Sequence, residues 1–321
     1  MWAAVVAVVL VVAGAALLTV GAEAFTEHVT GAADRLGVSV LALAVLLAGA
    51  EPEEAVTAML ASGQGHPALA AGDAIGANLV ILTLTLGLAG LLTRLPVTRR
   101  VVEYGVASAA LGALGWLFLL DGVLGRVEGL VLVLLYVAGV VWVWRREGGP
   151  PPVGEVAELA DRGQGTVDGR TDEGTGRALL MVLLGLLGMV VGGFLAVRGA
   201  EGLVGVLDLE ESVIGLTVLA LATSAEMVAL VWAARRRGLS GVVVAGTVGA
   251  VGYNAGVTLG LAALVSPLLL GRHNVIGDVA AGTAVLPLVL LVALRSGRLP
   301  RPLGALLVAG YVATVALLLA R

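Results

Sequence analysis

The sequence predicts an all-α membrane protein with ten transmembrane helices, arranged as two inverted five-helix repeats with the N and C termini outside. Three observations predict it. Of the 321 residues, 59% are hydrophobic and only 13% charged, with a mean hydropathy of +1.04; a soluble domain of this length carries far more charge. All 19 basic residues are arginine, and fifteen of them follow odd-numbered apolar segments. Finally, the two halves of the chain align without a gap at a constant offset of 173 residues.

A membrane-spanning helix takes about 20 apolar residues. Runs of that kind occupy roughly 2–25, 37–61, 69–93, 101–120, 124–144, 178–199, 211–234, 240–269, 276–295 and 302–320. The first has no basic residue ahead of it, which reads as a spanning helix and not a cleaved leader. Segment two is interrupted by GAEPEE at 49–54, where Pro52 removes a backbone donor and frees carbonyls. Segment three carries GDAIGAN at 72–78, and segments four and five are flanked by Arg99–Arg100 and Arg145–Arg146. Residues 147–176 are rich in Gly, Pro and acidic side chains and read as a cytoplasmic linker, with a short helical turn at 153–159. Segment seven is interrupted by ATSAE at 222–226, and segment eight carries GTVGAVGYN at 246–254. Only Arg126, Arg198, Arg272 and Arg321 lie on the side opposite the other arginines, so the arginine-rich loops are expected in the cytoplasm. The units are then 1–146, the linker 147–176, and 177–321.

The repeat shows most clearly where SVLALAVLLAGAEPEEAV at 39–56 lies over SVIGLTVLALATSAEMV at 212–228. Ser39 falls on Ser212, Val45 on Val218 and Glu53 on Glu226. Further on, Gly76 falls on Gly249, and TLGLA at 85–89 on TLGLA at 258–262. Five segments per half make the second copy enter the membrane from the opposite side. In such architectures the binding site lies near the midplane, where interrupted helices meet.

A carboxylate in mid-membrane costs about 2.5–3.5 kcal/mol on insertion scales, so it marks a function. Glu53 and Glu226 are the leading candidates, and no arginine lies near either in the sequence. Glu54 stands beside Glu53. Glu51 is a candidate that local unwinding also allows to reach water, and Asp73, near a segment start, also falls within reach of headgroups. Asn78, Asn254, Thr223 and Ser224 supply further oxygens, or act as hydrogen-bond glue between helices; Gly76 and Gly249 open the backbone or simply pack. Carboxylate, amide, hydroxyl and carbonyl oxygens describe a site for a hard cation; Ca²⁺ takes about six to eight of them. The chain has no cysteine, and His28, His66 and His273 sit at segment ends as surface residues, which argues against a soft metal.

These residues resemble the cation/Ca²⁺ exchanger superfamily, which includes the Na⁺/Ca²⁺ exchangers. LGVSVLALAVLLAGAEPEE and GDAIGANLVILTLTLGL resemble its first α-repeat (37–93 here); ESVIGLTVLALATSAEM and GTVGAVGYNAGVTLGL resemble its second (211–269). DGVLGRVEGLVLVLLY at 121–136 is similar to the segment between helices four and five of prokaryotic members. The resemblance implies ten helices in two inverted halves and a cation site made by both α-repeats. It places the family glutamate on Glu54 in the first half and Met227 in the second, whereas the internal repeat pairs Glu53 with Glu226. The serine of the family's GSN stretch is replaced by Ala77 and Ala250, so hydroxyls that the resemblance assigns to Na⁺ are missing.

The expected function is secondary active antiport of Ca²⁺ for Na⁺ or H⁺ by alternating access, in the cell (plasma) membrane. The ions are substrates, no cofactor is expected, and the partners are inorganic cations and the lipid bilayer, not nucleic acid. Within transport the alternative is another monovalent cation/H⁺ antiporter. A degenerate, non-transporting homologue is a further reading. An intramembrane hydrolase using Glu53 and Glu226 lacks a histidine or cysteine at membrane depth, and the chain reads as no enzyme.

Overall fold

The structure is a computed structural model, and it describes residues 2–36, 51–93, 95–147, 175–237, 240–272 and 274–320. In chain order these form α1 (Trp2–Leu36), α2 (Pro52–Gly63), α3 (Pro67–Leu92), α4 (Arg99–Phe118), the short strand β1 (Val123–Leu124) and α5 (Arg126–Glu147). After residues 148–174 come α6 (Thr175–Leu207), α7 (Glu211–Thr223), α8 (Ala225–Arg237), α9 (240–265), β2 (Leu268–Leu269), α10 (275–294) and α11 (Arg301–Leu319). The described residues are mostly helical, and the protein is a multi-pass membrane protein.

Helix starts follow local chemistry. Proline opens α2 at Pro52 and α3 at Pro67, where its missing N–H is not needed. The Thr98 side chain accepts from Val101 N at the start of α4, and Asn274 from Gly277 N at the start of α10. β1 pairs antiparallel with β2, Val123 opposite Leu269, and Pro96 bridges Arg298. Gly122 makes the first pairing possible. Its φ is +85°, and a Cβ there would lie 2.3 Å from the Gly271 carbonyl carbon.

Seven helices among the described residues are long and apolar enough to cross a membrane, fewer than the ten expected. The shortfall has local causes. Segment seven is split at Ser224 into α7 and α8. Segment nine is broken by a 3₁₀ turn at Leu286–Leu288, around Pro287. The first part of segment two, including the expected break at Gly49 and Ala50, lies outside the described residues, as do the linker and its helical turn.

Among the described residues, three helices carry a π-helical stretch: Val80–Thr85 in α3, Gly215–Leu219 in α7 and Asn254–Thr258 in α9. Such wide turns leave side chains and carbonyls out of the regular ladder and recur at functional sites. The stretches in α3 and α9 both run into an LGLA helix, at Leu86 and at Leu259. In α3, 78% of the spanning window is buried, and in α9 72%, against 22% in α4, α5 and α11; α3 and α9 are therefore the centre of the molecule. α1 and α6 lie side by side at glycine distance, where a Cβ on Gly14, Gly21 or Gly199 would stand 2.6–2.7 Å from the other helix's backbone. α3 meets α7 just as closely. Gly76 faces Leu216 and Ala220, and Gly72 faces Gly215.

Candidate cation site

Glu51 is the residue before α2, and Glu53 and Glu54 lie in its first turn, where the positive end of the helix dipole favours negative charge. All three are buried. Glu51 thus does not reach water, and its carboxylate meets α9. There Asn254 Nδ2 donates to Glu51 Oε2 at 3.2 Å, and Thr258 Oγ1 donates to Asn254 Oδ1 at 2.9 Å.

The break between α7 and α8 supplies the opposite wall. Ser224 Oγ donates to Glu54 Oε1 at 2.6 Å, and Thr223 Oγ1 reaches Asp73 Oδ1 on α3 at 3.0 Å. Asp73 is wholly buried. Asn78, one turn further along α3, donates through Nδ2 to the Val251 carbonyl of α9 at 3.3 Å. Glu226 sits in the first turn of α8, half-buried and within electrostatic reach of Glu51. Glu53 is buried, and its backbone carbonyl accepts from Thr57 Oγ1 at 2.7 Å.

Four acceptor oxygens in this cluster have no hydrogen-bond partner among the described residues: Glu51 Oε1, Glu54 Oε2, Asp73 Oδ2 and Asn78 Oδ1. Ion pairs among those residues join Glu103 to Arg99 and Arg146, Glu201 to Arg198 and His66, and Glu211 to His66; none of these includes Glu51, Glu54 or Asp73. No three His, Cys, Asp or Glu side chains of the described residues are grouped as a ready-made metal site. The cluster is instead a mixed set of carboxylate, amide and hydroxyl oxygens spread over α2, α3, α7 and α9. An ionised carboxylate only accepts, so buried unpaired oxygens of this kind are satisfied by a cation or by protons.

Seven of the nine sequence candidates lie in α2, α3, α7, α8 and α9, while Glu51 precedes α2 and Ser224 joins α7 to α8; their roles in the geometry are unequal. Ser224 engages Glu54, and Glu226 lies nearer the edge. One residue was missed: Thr258, which orients Asn254 and is the threonine of TLGLA, a signal present in the repeat. His66 is also no plain surface residue. Its Nδ1 lies 2.9 Å from Glu211 Oε1 and its Nε2 3.6 Å from Glu201 Oε1.

The family model described as "Sodium/calcium exchanger protein" matches residues 6–145 and 177–320, nearly the whole chain. The chain belongs to the sodium/calcium exchanger family. It is 28% identical to the inner membrane protein YrbG of Escherichia coli over 293 residues, covering 87% of this chain and 86% of that one. An uncharacterized membrane protein of Methanocaldococcus jannaschii is 24% identical over 310 residues, covering 94% and 92%. The fold is similar to that of the sodium-calcium exchanger NCX_Mj soaked with Na⁺ and Sr²⁺. There the TM-score is 0.62 at 24% identity, over 97% of this chain and 98% of that one. The family and its structural neighbour are transporters, not enzymes.

Proposed function

We propose that this member of the family is a secondary cation antiporter of the cell (plasma) membrane, exchanging Ca²⁺ for Na⁺ or H⁺ by alternating access at the cluster of Glu51, Glu54, Asp73 and Asn78. The observation that carries this is the set of four buried, unpartnered acceptor oxygens. Glu53, Glu226, Thr223, Ser224 and Asn254 complete the set, with hydroxyl and amide groups able to turn an oxygen toward an ion. Ca²⁺ suits such a site because it accepts irregular oxygen geometry, whereas Mg²⁺ keeps its waters.

The proposed topology is ten spans, in units 1–146 and 177–321 joined by a cytoplasmic linker at 147–176, with both termini outside. Support comes from the arginine distribution and from elements that recur about 173 residues apart. The π stretches starting at Val80 and Asn254 recur in this way, as do the helices starting at Leu86 and Leu259. A cysteine replacing exposed Ser296 is expected to be shielded from impermeant thiol reagents in intact cells, and one replacing exposed Asp121 to be labelled. The reverse pattern would overturn the orientation.

Proton coupling is the favoured form of the exchange. Ala77 and Ala250 are both fully buried and offer no side-chain oxygen, so several Na⁺ ions are poorly served. Carboxylates crowded away from water relieve their repulsion by taking up protons, shared across the cluster. Protons and Ca²⁺ then compete for the same oxygens, and Ca²⁺ binding weakens as pH falls. The test is Ca²⁺ efflux from loaded proteoliposomes into Ca²⁺-free buffer without Na⁺. An external acid pulse is expected to drive efflux; no response to acid with a strong response to external Na⁺ would make Na⁺ the coupling ion. No response to either would contradict the antiporter reading.

A further inference from the structure

The halves of the chain align at a constant offset of 173 residues, and the helices around the cation cluster keep that register. α2 starts at Pro52 and α8 at Ala225, preceded by Glu51 and Ser224. The π stretches of α3 and α9 end at Thr85 and Thr258. Asn78 and Val251 are counterparts, and the Asn78 amide donates to the Val251 carbonyl at 3.3 Å. Residues of the cluster thus have counterparts of known position and chemistry.

The two sides are chemically unequal. Glu54 corresponds to Met227, Asn254 to Ile81 and Asn78 to Val251. These three apolar residues are buried and pack into one cluster with Leu82 and Ala250. A carboxylate and two amides on one side are matched by hydrocarbon and a thioether on the other. One polar group stands alone on the apolar side. Thr258 donates to Asn254 Oδ1 at 2.9 Å, whereas the hydroxyl of Thr85, wholly buried, has no hydrogen-bond partner among the described residues. Ile81 holds the position from which Asn254 serves Thr258. A buried polar atom is rarely left unpaired, so Thr85 marks where hydrocarbon stands in place of an acceptor.

We propose that Ile81, Met227 and Val251 are specificity-determining residues: they fill the counterpart of the acidic half-site, so that the centre holds one cation at a time. This rests on the exchange reading and deepens it. A buried charge needs partners that replace its water shell. Isoleucine and valine side chains offer no acceptor, and a thioether is a weak and soft one. A Ca²⁺ drawn to Glu51, Glu54 and Asp73 leaves a second ion only the apolar side. Na⁺ must then compete for the same oxygens one for one, and two Na⁺ ions cannot together take the place of one Ca²⁺.

Binding, not flux, tests this. Full-length protein purified in detergent is equilibrated with isotopic Ca²⁺ at fixed pH and titrated with Na⁺. In the wild type, Na⁺ should displace the label one for one or not at all, with a Hill slope no higher than about one. Ile81→Asn/Met227→Glu gives the apolar side the groups of its counterpart. Its Na⁺ affinity should rise several-fold, and its slope should climb toward about two. If the double variant does not fold, Ile81→Asn alone, whose amide can serve Thr85, should still raise Na⁺ affinity several-fold. A wild-type slope near about two, or unchanged Na⁺ affinity in the folded variants, would overturn the proposal and leave the exchange reading standing. No bound Ca²⁺ in the wild type would overturn both.

Discussion

Glu54→Gln is expected to abolish Ca²⁺ transport while leaving the protein folded in the membrane. Glu54 is wholly buried; one of its oxygens accepts from Ser224 at 2.6 Å, and the other has no partner among the described residues. Glutamine keeps the shape and can still accept from Ser224, but it turns the second position into an amide donor and removes the charge. Losing one member of a buried charge pair costs about 2–5 kcal/mol of binding, roughly 30-fold to 4,000-fold in affinity. Neutralisation also lifts an insertion penalty of about 2.5–3.5 kcal/mol, so thermal stability in detergent should hold or rise. Glu53→Gln and Glu226→Gln make the comparison informative. In the sequence repeat they are the matched pair, whereas the geometry gives the direct link across the site to Glu54. Normal Ca²⁺ flux in a well-folded Glu54→Gln variant would place the site elsewhere.

Gly76→Val is expected to cause the largest loss of folded protein. A Cβ at Gly76 would lie 2.6 Å from Ala220 Cβ, 2.7 Å from Leu216 O and 2.8 Å from Leu216 Cα. Two of these are backbone atoms of α7 and cannot swing aside. Overpacking of this kind costs about 1–3 kcal/mol, and more when backbones must part. Separation of α3 from α7 would also pull Asp73 from Thr223, so transport should fall with the melting temperature. Gly310→Ala on α11, where nothing lies within 4 Å, is the control and should change neither. A Gly76→Val variant with wild-type melting temperature and flux would contradict the close α3–α7 approach.

The spans were largely legible because membrane helices are written in composition: α3, α4, α5 and α11 begin and end within a few residues of the apolar runs. The break before Glu226 was legible too, since ATSAE interrupts an apolar run with hydroxyls. The π-helical turns were not. VILTLT and GLTVL look like ordinary helix, and the extra residue per turn is set by packing around the site, not by local preference. The sequence leaves Glu51 open between the site and water; in the fold it is buried and accepts from Asn254. A one-residue choice such as Glu53 or Glu54 is beyond periodicity, because neighbouring positions in the first turn of a helix differ by about 100°. In the structure Ser224 donates to Glu54.

The central claim is that the buried oxygens hold a cation that crosses only in exchange for another. Isotopic Ca²⁺ counterflow tests it most directly. Proteoliposomes are loaded with labelled Ca²⁺ and diluted into choline buffer at matched pH, with or without external unlabelled Ca²⁺. The label should leave slowly into choline and rapidly when external Ca²⁺ is present, and Glu54→Gln should abolish the acceleration. Efflux equally fast in both buffers, or unchanged by external Ca²⁺, would contradict exchange at this site.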